Sequence, residues 1–246
     1  EGFHALYALT RFRQARWAQT LAEASIAAIN DYWDPVAGWD QVRLEGEQGL
    51  KLIDSTFIVG LARALGPLVK YYRATGYAPA LALALQLKAK LIAEFFTADG
   101  AYNRETFGVH THSTTCVMSS LAQLADLTQD ATLMACVRAF YDNGLWQIRD
   151  ELGWVVEISS DEADPDKGEC NNTGDIVETA LILGRWGYPE YYHDAERIVR
   201  GHLLPAQLRD IAFIANLSNP NGEDGKREVA ARHLGAARVD PRPRPS

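Results

Sequence analysis

The sequence has few cysteines, no long apolar run and no excess of positive charge. Its three cysteines, Cys116, Cys136 and Cys170, cannot all pair, so we expect reduced thiols rather than a disulfide scaffold. No apolar run reaches the roughly 20 residues that a membrane span needs. The net charge of -8 argues against non-specific binding to nucleic acid or to an anionic membrane. We therefore expect a soluble protein with neither of these partners.

The length and composition predict one globular domain. A chain of 246 residues can bury one sizeable core, and its hydrophobic (47%) and charged (23%) fractions are ordinary for a soluble protein. We expect this domain to cover residues 1–237. The segment 238–246 is rich in proline and arginine, has no apolar period and is expected to be disordered. The first residues lack the basic and apolar regions of a signal peptide, so the compartment stays open, with the cytoplasm favoured.

Apolar residues at helical spacing predict a protein built from helices. The predicted helices are 14–32, 54–75, 78–96, 113–127, 131–146, 175–186 and 190–204, with a further candidate at 223–234. Gly66-Pro67 should kink the second of them. Long polar loops are expected at 36–52, 97–112 and 147–172, the last of which contains a strand at 153–158.

Three segments repeat one pattern: the end of a helix, a tight turn and a second helix. They are residues 68–92, 121–145 and 180–204. A helical hairpin cannot bury both of its faces alone, so neighbouring hairpins are expected to stack, with the long loops gathered at one end. The first helix of each pair has small or polar positions and the second carries more charge, which favours inner and outer helices. We predict an all-α fold, an α/α toroid of repeated helical hairpins, partial or incomplete, with short β segments in the long loops.

Short motifs within about residues 56–205 resemble the six-hairpin glycosidase-like toroids. These motifs are Tyr71-Tyr72-Arg73-Ala74-Thr75-Gly76, Glu169-Cys170, Gly174, Tyr191-Tyr192 and Glu196-Arg197. Among these toroids, the spacing is most similar to that of the β-L-arabinofuranosidase family. The resemblance implies an enzyme that acts on carbohydrate.

The same resemblance implies a metal, because that family holds zinc with one Glu and three Cys beside a nucleophilic Cys. Cys170 matches one of these ligands, and Glu157 matches the ligand Glu. The chain departs from the pattern elsewhere, since no cysteine follows Cys170 and Gly168 stands where a partner cysteine is expected. The cysteine mechanism is therefore not supported. We expect no required cofactor, with zinc at Glu157 and Cys170 as an option.

The stretch 169–178 allows two interpretations. Residues 171–173 and Asp175 are all of types that cap helices, and Asp175 with Glu178 forms a variant of the capping box. The alternative is that a helix start carrying Glu169, Cys170 and Asp175 is a polar site that faces a cavity.

Carboxylates in this region are compatible with glycoside hydrolysis. Glycoside hydrolysis needs two of them, one to protonate the leaving oxygen and one to act as base or nucleophile. Glu157 lies among apolar residues, which suits a general acid and equally fits the outward side of an exposed strand. Our hypothesis is that Glu157 and Asp175, or Glu157 and Glu169, are the acid and the base.

Polar and aromatic residues of the same loops are candidates for substrate contacts. They are His110, His112, Asn171, Asn172, Asp54 and Trp154. The repeat places the two histidines at the same end of the stack as Glu169, although a pair of solvated loop histidines fits equally well. Cys116 and Cys136 lie in helical runs and are expected to be buried, inert thiols.

From these features we expect a glycoside hydrolase with a carbohydrate substrate. The alternatives are a polysaccharide lyase or sugar epimerase with a histidine base, and a non-catalytic helical-repeat binding module or truncated fragment. A full six-hairpin toroid needs twelve helices and fewer are predicted here. A partial toroid, a truncated chain and a homo-oligomer that completes the core therefore stay open.

Overall fold

Helices make up most of the fold. The computed structural model describes residues 2–52, 56–162, 164, 167–237 and 240–241. The α-helices in these ranges are α1 (Gly2–Arg13), α2 (Arg16–Tyr32), α3 (Gln41–Gln48), α4 (Leu65–Thr75), α5 (Ala78–Glu94), α6 (Arg104–Phe107), α7 (Thr111–Thr128), α8 (Ala131–Asp142), α9 (Cys170–Arg185), α10 (Glu190–Ile198) and α11 (Val229–Arg232). The prediction of an all-α protein is confirmed.

The β structure consists of short antiparallel pairs. Strand β1 (Trp33–Asp34) pairs with β2 (Gly38–Trp39), and β3 (Lys167–Gly168) pairs with β4 (Asp240–Pro241). Short β segments in the long connections were predicted, and β1, β2 and β3 lie in or beside such connections, whereas β4 lies in the C-terminal segment. Apart from β4, the segment for which we predicted disorder, 238–246, lies outside the described residues.

Eight of the helices pack as consecutive hairpins: α1 with α2, α4 with α5, α7 with α8, and α9 with α10. The first helices of the four hairpins lie side by side in the order α1, α4, α7, α9. Gly76 and Gln129, both in the left-handed conformation, end α4 and α7 and lead into the tight turns. The stacking of hairpins that the repeat predicts is therefore present.

The inner helices approach one another closely. A Cβ added at Gly66 on α4 would lie 2.6 Å from Ser120 Oγ on α7, so the Ser120 side chain would have to move to admit a larger residue. Between the hairpins, Phe96 stacks edge-on against Phe107 and Phe140, with ring centroids 5.2 and 4.8 Å apart. Within the described ranges, no helix has both the length and the apolar character needed to cross a bilayer.

Several predicted boundaries are correct and others are wrong. Helices α2, α5, α8 and α10 begin close to their predicted starts, whereas α1 and α3 were not predicted at all. The predicted kink is wrong, because Gly66 and Pro67 lie in the first turn of α4, where the missing N–H of proline costs nothing. The candidate helix 223–234 is reduced to a 3-10 turn, Asp224–Lys226, and the short α11.

The loop that precedes α9 also differs from its prediction. The expected strand 153–158 is replaced by isolated bridges that join Val155 to Arg149, Val156 to Gly168 and Ile158 to His110. Helix α9 itself begins at Cys170 rather than at Asp175. Residues 171–173 are therefore inside the helix and are not its caps.

Candidate functional site

Helices α7 and α9 meet along a row of polar side chains, which we call the α7–α9 seam. Thr115 Oγ1 lies 2.8 Å from Asn172 Oδ1 and 3.0 Å from Asp175 Oδ2. One turn further on, Ser119 Oγ donates a 2.7 Å hydrogen bond to Glu178 Oε2. The contacts recur every three or four residues on both helices, which places them on one face of each.

The seam continues toward the end of α7. Gln123 Nε2 donates a 3.0 Å hydrogen bond to Glu178 Oε2, which therefore receives two donors from α7. Glu178 was assigned to a capping box from the sequence alone. The structure shows instead that α7 holds its carboxylate between the helices.

His112 connects two carboxylates at the start of the seam. Its Nδ1 lies 3.6 Å from Glu169 Oε2, and its Nε2 lies 3.6 Å from Asp175 Oδ2. The ring of His110 is 6.0 Å away, where its Nδ1 lies 2.8 Å from Ser113 Oγ. The structure thus brings together four of the predicted site residues, and all four are half-buried.

Asp175 is the most perturbed carboxyl group in this region. Burial raises its pKa to about 7, and the negative charge of Glu178 acts in the same direction. The hydrogen bond from Thr115 and the positive charges of Lys70 and Arg63 oppose this change. Asp175 is therefore partly protonated near neutral pH, which is unusual for an aspartate.

Cys116 lies one turn after His112 and faces the same carboxylate. Burial raises the pKa of its thiol to about 11, with a further contribution from the charge of Asp175, whereas Arg63 lowers it. Cys116 and Cys136 are both only partly buried, so the expectation that these two thiols are buried is wrong.

Three side chains of the site could hold a metal ion. One ligand atom each from His112, Cys116 and Asp175 lies within 4.8 Å of the other two. The predicted zinc ligands, Glu157 and Cys170, are not part of it.

A cavity of about 890 Å³ runs along the inner helices beside the seam. Its walls come from α1, α4, α7, α9 and the start of α10, and Glu178 and Gln123 form part of its lining. Lys70, Arg73 and Arg185 also line it, which gives the cavity a largely basic wall in an acidic protein. A charged group or a polar ligand can thus reach the seam from this cavity.

Helix α1 contributes a further titratable group. Burial and the neighbouring charge of Lys70 lower the pKa of His4, whereas Glu178 raises it. His4 therefore belongs to the same electrostatic environment as the seam.

Glu157 is tied to the loop rather than to the seam. Its carboxylate forms an ion pair with Lys167, with Nζ and Oε2 2.8 Å apart. Its backbone N–H donates to the carbonyl of Lys167, and its own carbonyl accepts from the N–H of Thr111. The structure gives Glu157 a role in joining the loop to the start of α7.

The other predicted contact residues are scattered. Trp154 is buried and packs against Gly168, where an added Cβ would lie 2.6 Å from its Nε1. Asn172 is buried in the seam, Asn171 is exposed, and Cys170 is buried at the start of α9. Asp54 lies outside the described residues.

Sequence reasoning found His110 and His112 but missed the rest of the α7 side of the site, from Thr115 to Gln123. A signal was nevertheless present, since His112, Thr115, Ser119 and Gln123 recur at intervals of three and four and therefore lie on one face of the helix. Such a polar stripe on a buried helix indicates a polar partner on its neighbour.

Comparisons with known proteins give no match for this chain: none with a protein-family model, none with a curated protein and none with a solved structure. The resemblance to six-hairpin toroids therefore stays an expectation that depends on the short motifs. The case for a function depends on the seam and the cavity.

Proposed function

We propose that this protein is a carbohydrate-active enzyme, a glycoside hydrolase whose catalytic carboxylates are Asp175 and Glu178. The observation that carries the proposal is geometric. Glu178 lines a cavity of about 890 Å³, and Asp175 lies one turn before it on α9, in the seam beside Thr115 and His112. Paired carboxylates at a cavity are the requirement for glycoside hydrolysis.

The surroundings of the two groups suggest different roles. Ser119 and Gln123 donate to Glu178 and hold its carboxylate toward the cavity, as a base or nucleophile requires. Asp175 is half-buried beside His112 and, near neutral pH, is protonated in part of the molecules. In the proposed reaction Asp175 gives its proton to the glycosidic oxygen as the bond to the anomeric carbon breaks.

Glu178 completes the reaction at the anomeric carbon, either by direct attack or by taking a proton from the attacking water. Glu169 is retained as a positioning residue, because it contacts His112 rather than the cavity. Glu157 is no longer proposed as the acid, since Lys167 occupies its carboxylate. The reaction uses side chains alone and requires no cofactor.

The test is hydrolysis of a panel of aryl glycosides and oligosaccharides by matched variants. Asp175→Asn and Glu178→Gln should each lower kcat by roughly 10²–10⁴-fold, the usual contribution of acid–base groups. Glu157→Gln, a carboxylate change outside the seam, should hydrolyse the same substrates as the wild type. The loss in Asp175→Asn should be larger for poor leaving groups than for nitrophenol, which a merely structural role would not produce.

Turnover by Asp175→Asn at the wild-type rate on every leaving group would refute the assignment of the acid. If the wild type cleaves none of the panel but binds oligosaccharides, the non-catalytic binding module is the better description.

A second candidate is a polysaccharide lyase or a sugar epimerase. One observation favours it: His112 has a carboxylate, Glu169, against one nitrogen and its second nitrogen facing the seam, as in a general base with its orienting acid. A lyase would produce a new double bond, visible as ultraviolet absorbance, without consuming water. If this absorbance appears with the wild type and is lost in His112→Gln, the lyase replaces the hydrolase as the proposed activity.

We further propose that the four hairpins are part of an α/α toroid and that the cavity lies on its axis. Inner helices in the order α1, α4, α7, α9, with α1 and α9 both lining the cavity, support this arrangement. The proposed partner is a carbohydrate substrate, and neither nucleic acid nor membrane. A homo-oligomer that completes the core stays an alternative to a partial or truncated toroid.

A further inference from the structure

We infer that His112, Cys116 and Asp175 bind one divalent transition-metal ion of the zinc class. The inference goes beyond the proposed hydrolase activity and does not depend on it. It is carried by the placement of three different ligand atoms, nitrogen, sulfur and oxygen, all within 4.8 Å of one another.

The two elements that supply the ligands are held together by the seam. His112 and Cys116 are four residues apart on α7, so their side chains leave the same face of the helix. Asp175 comes from α9, where Thr115 Oγ1 lies 3.0 Å from its carboxylate. The ligand set is thus built on two helices and not on a flexible loop.

The chemistry of the three ligands selects the ion. Imidazole and thiolate bind zinc and its neighbours in the first transition row, whereas magnesium and calcium prefer oxygen ligands alone. Three protein ligands leave a fourth position for a water or an anion. Binding releases the thiol proton of Cys116 and any proton held by Asp175, both of which pass to solvent.

The residues next to the three ligands also fit a metal centre. Glu169 lies 3.6 Å from His112 Nδ1, so it can hold the ring with Nε2 toward Asp175. A carboxylate behind a ligand histidine is the usual outer partner in zinc sites. The positive charges of Lys70 and of Arg63, which hydrogen-bonds the Cys116 thiol, oppose a cation here, whereas the carboxylates of Asp175, Glu169 and Glu178 favour one.

Occupation of this site would have a consequence for the proposed hydrolase. An Asp175 carboxylate bound to a metal cannot donate a proton to a glycosidic oxygen. Zinc should therefore inhibit hydrolysis, and a chelator should relieve the inhibition. Binding can nevertheless be measured without any substrate, so a failure of one proposal leaves the other testable.

The experiment uses the full chain without a histidine tag, stripped with a chelator and reloaded with Zn²⁺ or Co²⁺. We expect one metal ion per chain after desalting, and a thiolate-to-cobalt charge-transfer band in the near ultraviolet. Cys116→Ser should remove the band and weaken zinc binding at least 100-fold, and Glu169→Gln should weaken zinc binding about tenfold. Cys136→Ser is the matched control, because it removes a half-buried helical thiol elsewhere and should change neither result.

Two results would overturn the inference. One is a wild-type protein that retains no metal and shows no thiolate band at micromolar Co²⁺. The other is a band that survives in Cys116→Ser and disappears in Cys170→Ser, which would favour the site predicted from sequence. If Cys116→Ser does not fold, the zinc-dependent rise in the melting temperature is compared in His112→Gln and the wild type, and an equal rise would also overturn it.

Discussion

The charge of Asp175 should make the protein less stable at high pH, and its removal should reverse this. Burial raises the carboxyl pKa from 3.8 to about 7, which at about 1.4 kcal/mol per pH unit corresponds to about 4 kcal/mol for the buried charge. The side chain is 20% exposed, so water screens part of this cost. The destabilisation by the charged carboxylate is therefore about half to two thirds of 4 kcal/mol.

The sign of the pH dependence follows because Asp175 binds its proton more tightly in the folded chain than in the unfolded chain. Between pH 4 and 7 the folded chain retains the proton and the unfolded chain releases it, so the free energy of unfolding falls as pH rises and levels off above pH 7. Asp175→Asn has no group to titrate at this position. Its stability relative to the wild type should increase by about 1.5 kcal/mol between pH 5 and pH 8, because part of the whole effect arises below pH 5. In melting temperature the gain is roughly 3–6 °C for a chain of this size.

Urea unfolding of the two proteins at pH 5, 6, 7 and 8, with a chelator present, measures this difference. Several charged groups act on Asp175 or on the histidine beside it: His112, Glu169, Glu178, Lys70 and Arg63. The comparison is therefore repeated in a His112→Gln background, which removes the imidazole that titrates in the same range. If the advantage of Asp175→Asn is constant or shrinks from pH 5 to pH 8, the carboxyl group is not desolvated as the structure indicates.

Two further predictions concern stability. Asp194→Asn should lower the free energy of unfolding by about 3 kcal/mol at pH 7, because it leaves the buried Arg149 without its carboxylate partner. Tyr141 and Arg149 hold the pKa of Asp194 below its usual value, although burial acts in the opposite direction. The loss of stability should therefore shrink only as the pH falls below 3.8. Urea unfolding at pH 7 and at pH 3 measures the loss and its decrease. Gly100→Ala should cost about 3 kcal/mol or more, since Gly100 has φ +69° and an added Cβ would lie 2.1 Å from a backbone oxygen of α8. Gly76→Ala, with a similar φ but open space around it, should cost about 1 kcal/mol, and equal melting temperatures for the two variants would contradict the close approach.

The hairpins were predictable because their signals are local. Apolar spacing identifies a helix, and residues such as Gly76 at a left-handed position identify its end. Helix α1 gave no such signal, since none of its residues is fully buried and no acidic residue marks its first turn. A helix stabilised by partial packing on α2 and α4 is difficult to recognise from its own sequence.

The start of α9 was mispredicted for a tertiary reason. Thr173 is a good capping residue, yet its hydroxyl donates to the carbonyl of Gly153 and lies 3.0 Å from His202 Nδ1. Asn172 is likewise engaged by Thr115 across the seam. Neither partner is near in sequence, so propensity placed the boundary five residues too late.

Contacts between residues distant in sequence also explain why only part of the site was predicted. His112, Glu169 and Asp175 could be grouped because the repeat puts the starts of α7 and α9 at one end of the stack. The apolar neighbours of Glu157 suggested an acid, but its ion pair with Lys167 forms across a loop and cannot be read from those neighbours. Cys116 was treated as a core residue because a single thiol in an apolar run usually is one.

The α7–α9 seam also fixes how the two helices can lie along each other. Its polar contacts are one helical turn apart, so a slip of one turn, about 5.4 Å, would be the smallest move that again faces polar groups with polar groups. That slip would place Asp175 opposite Ser119 and Asn172 where Asp175 now faces Thr115, so the pairs Thr115–Asp175 and Ser119–Glu178 would both be lost. Because α9 cannot slide without breaking these pairs, the distances among His112, Cys116 and Asp175 are set when the chain folds. The site is thus preorganised before any ligand arrives.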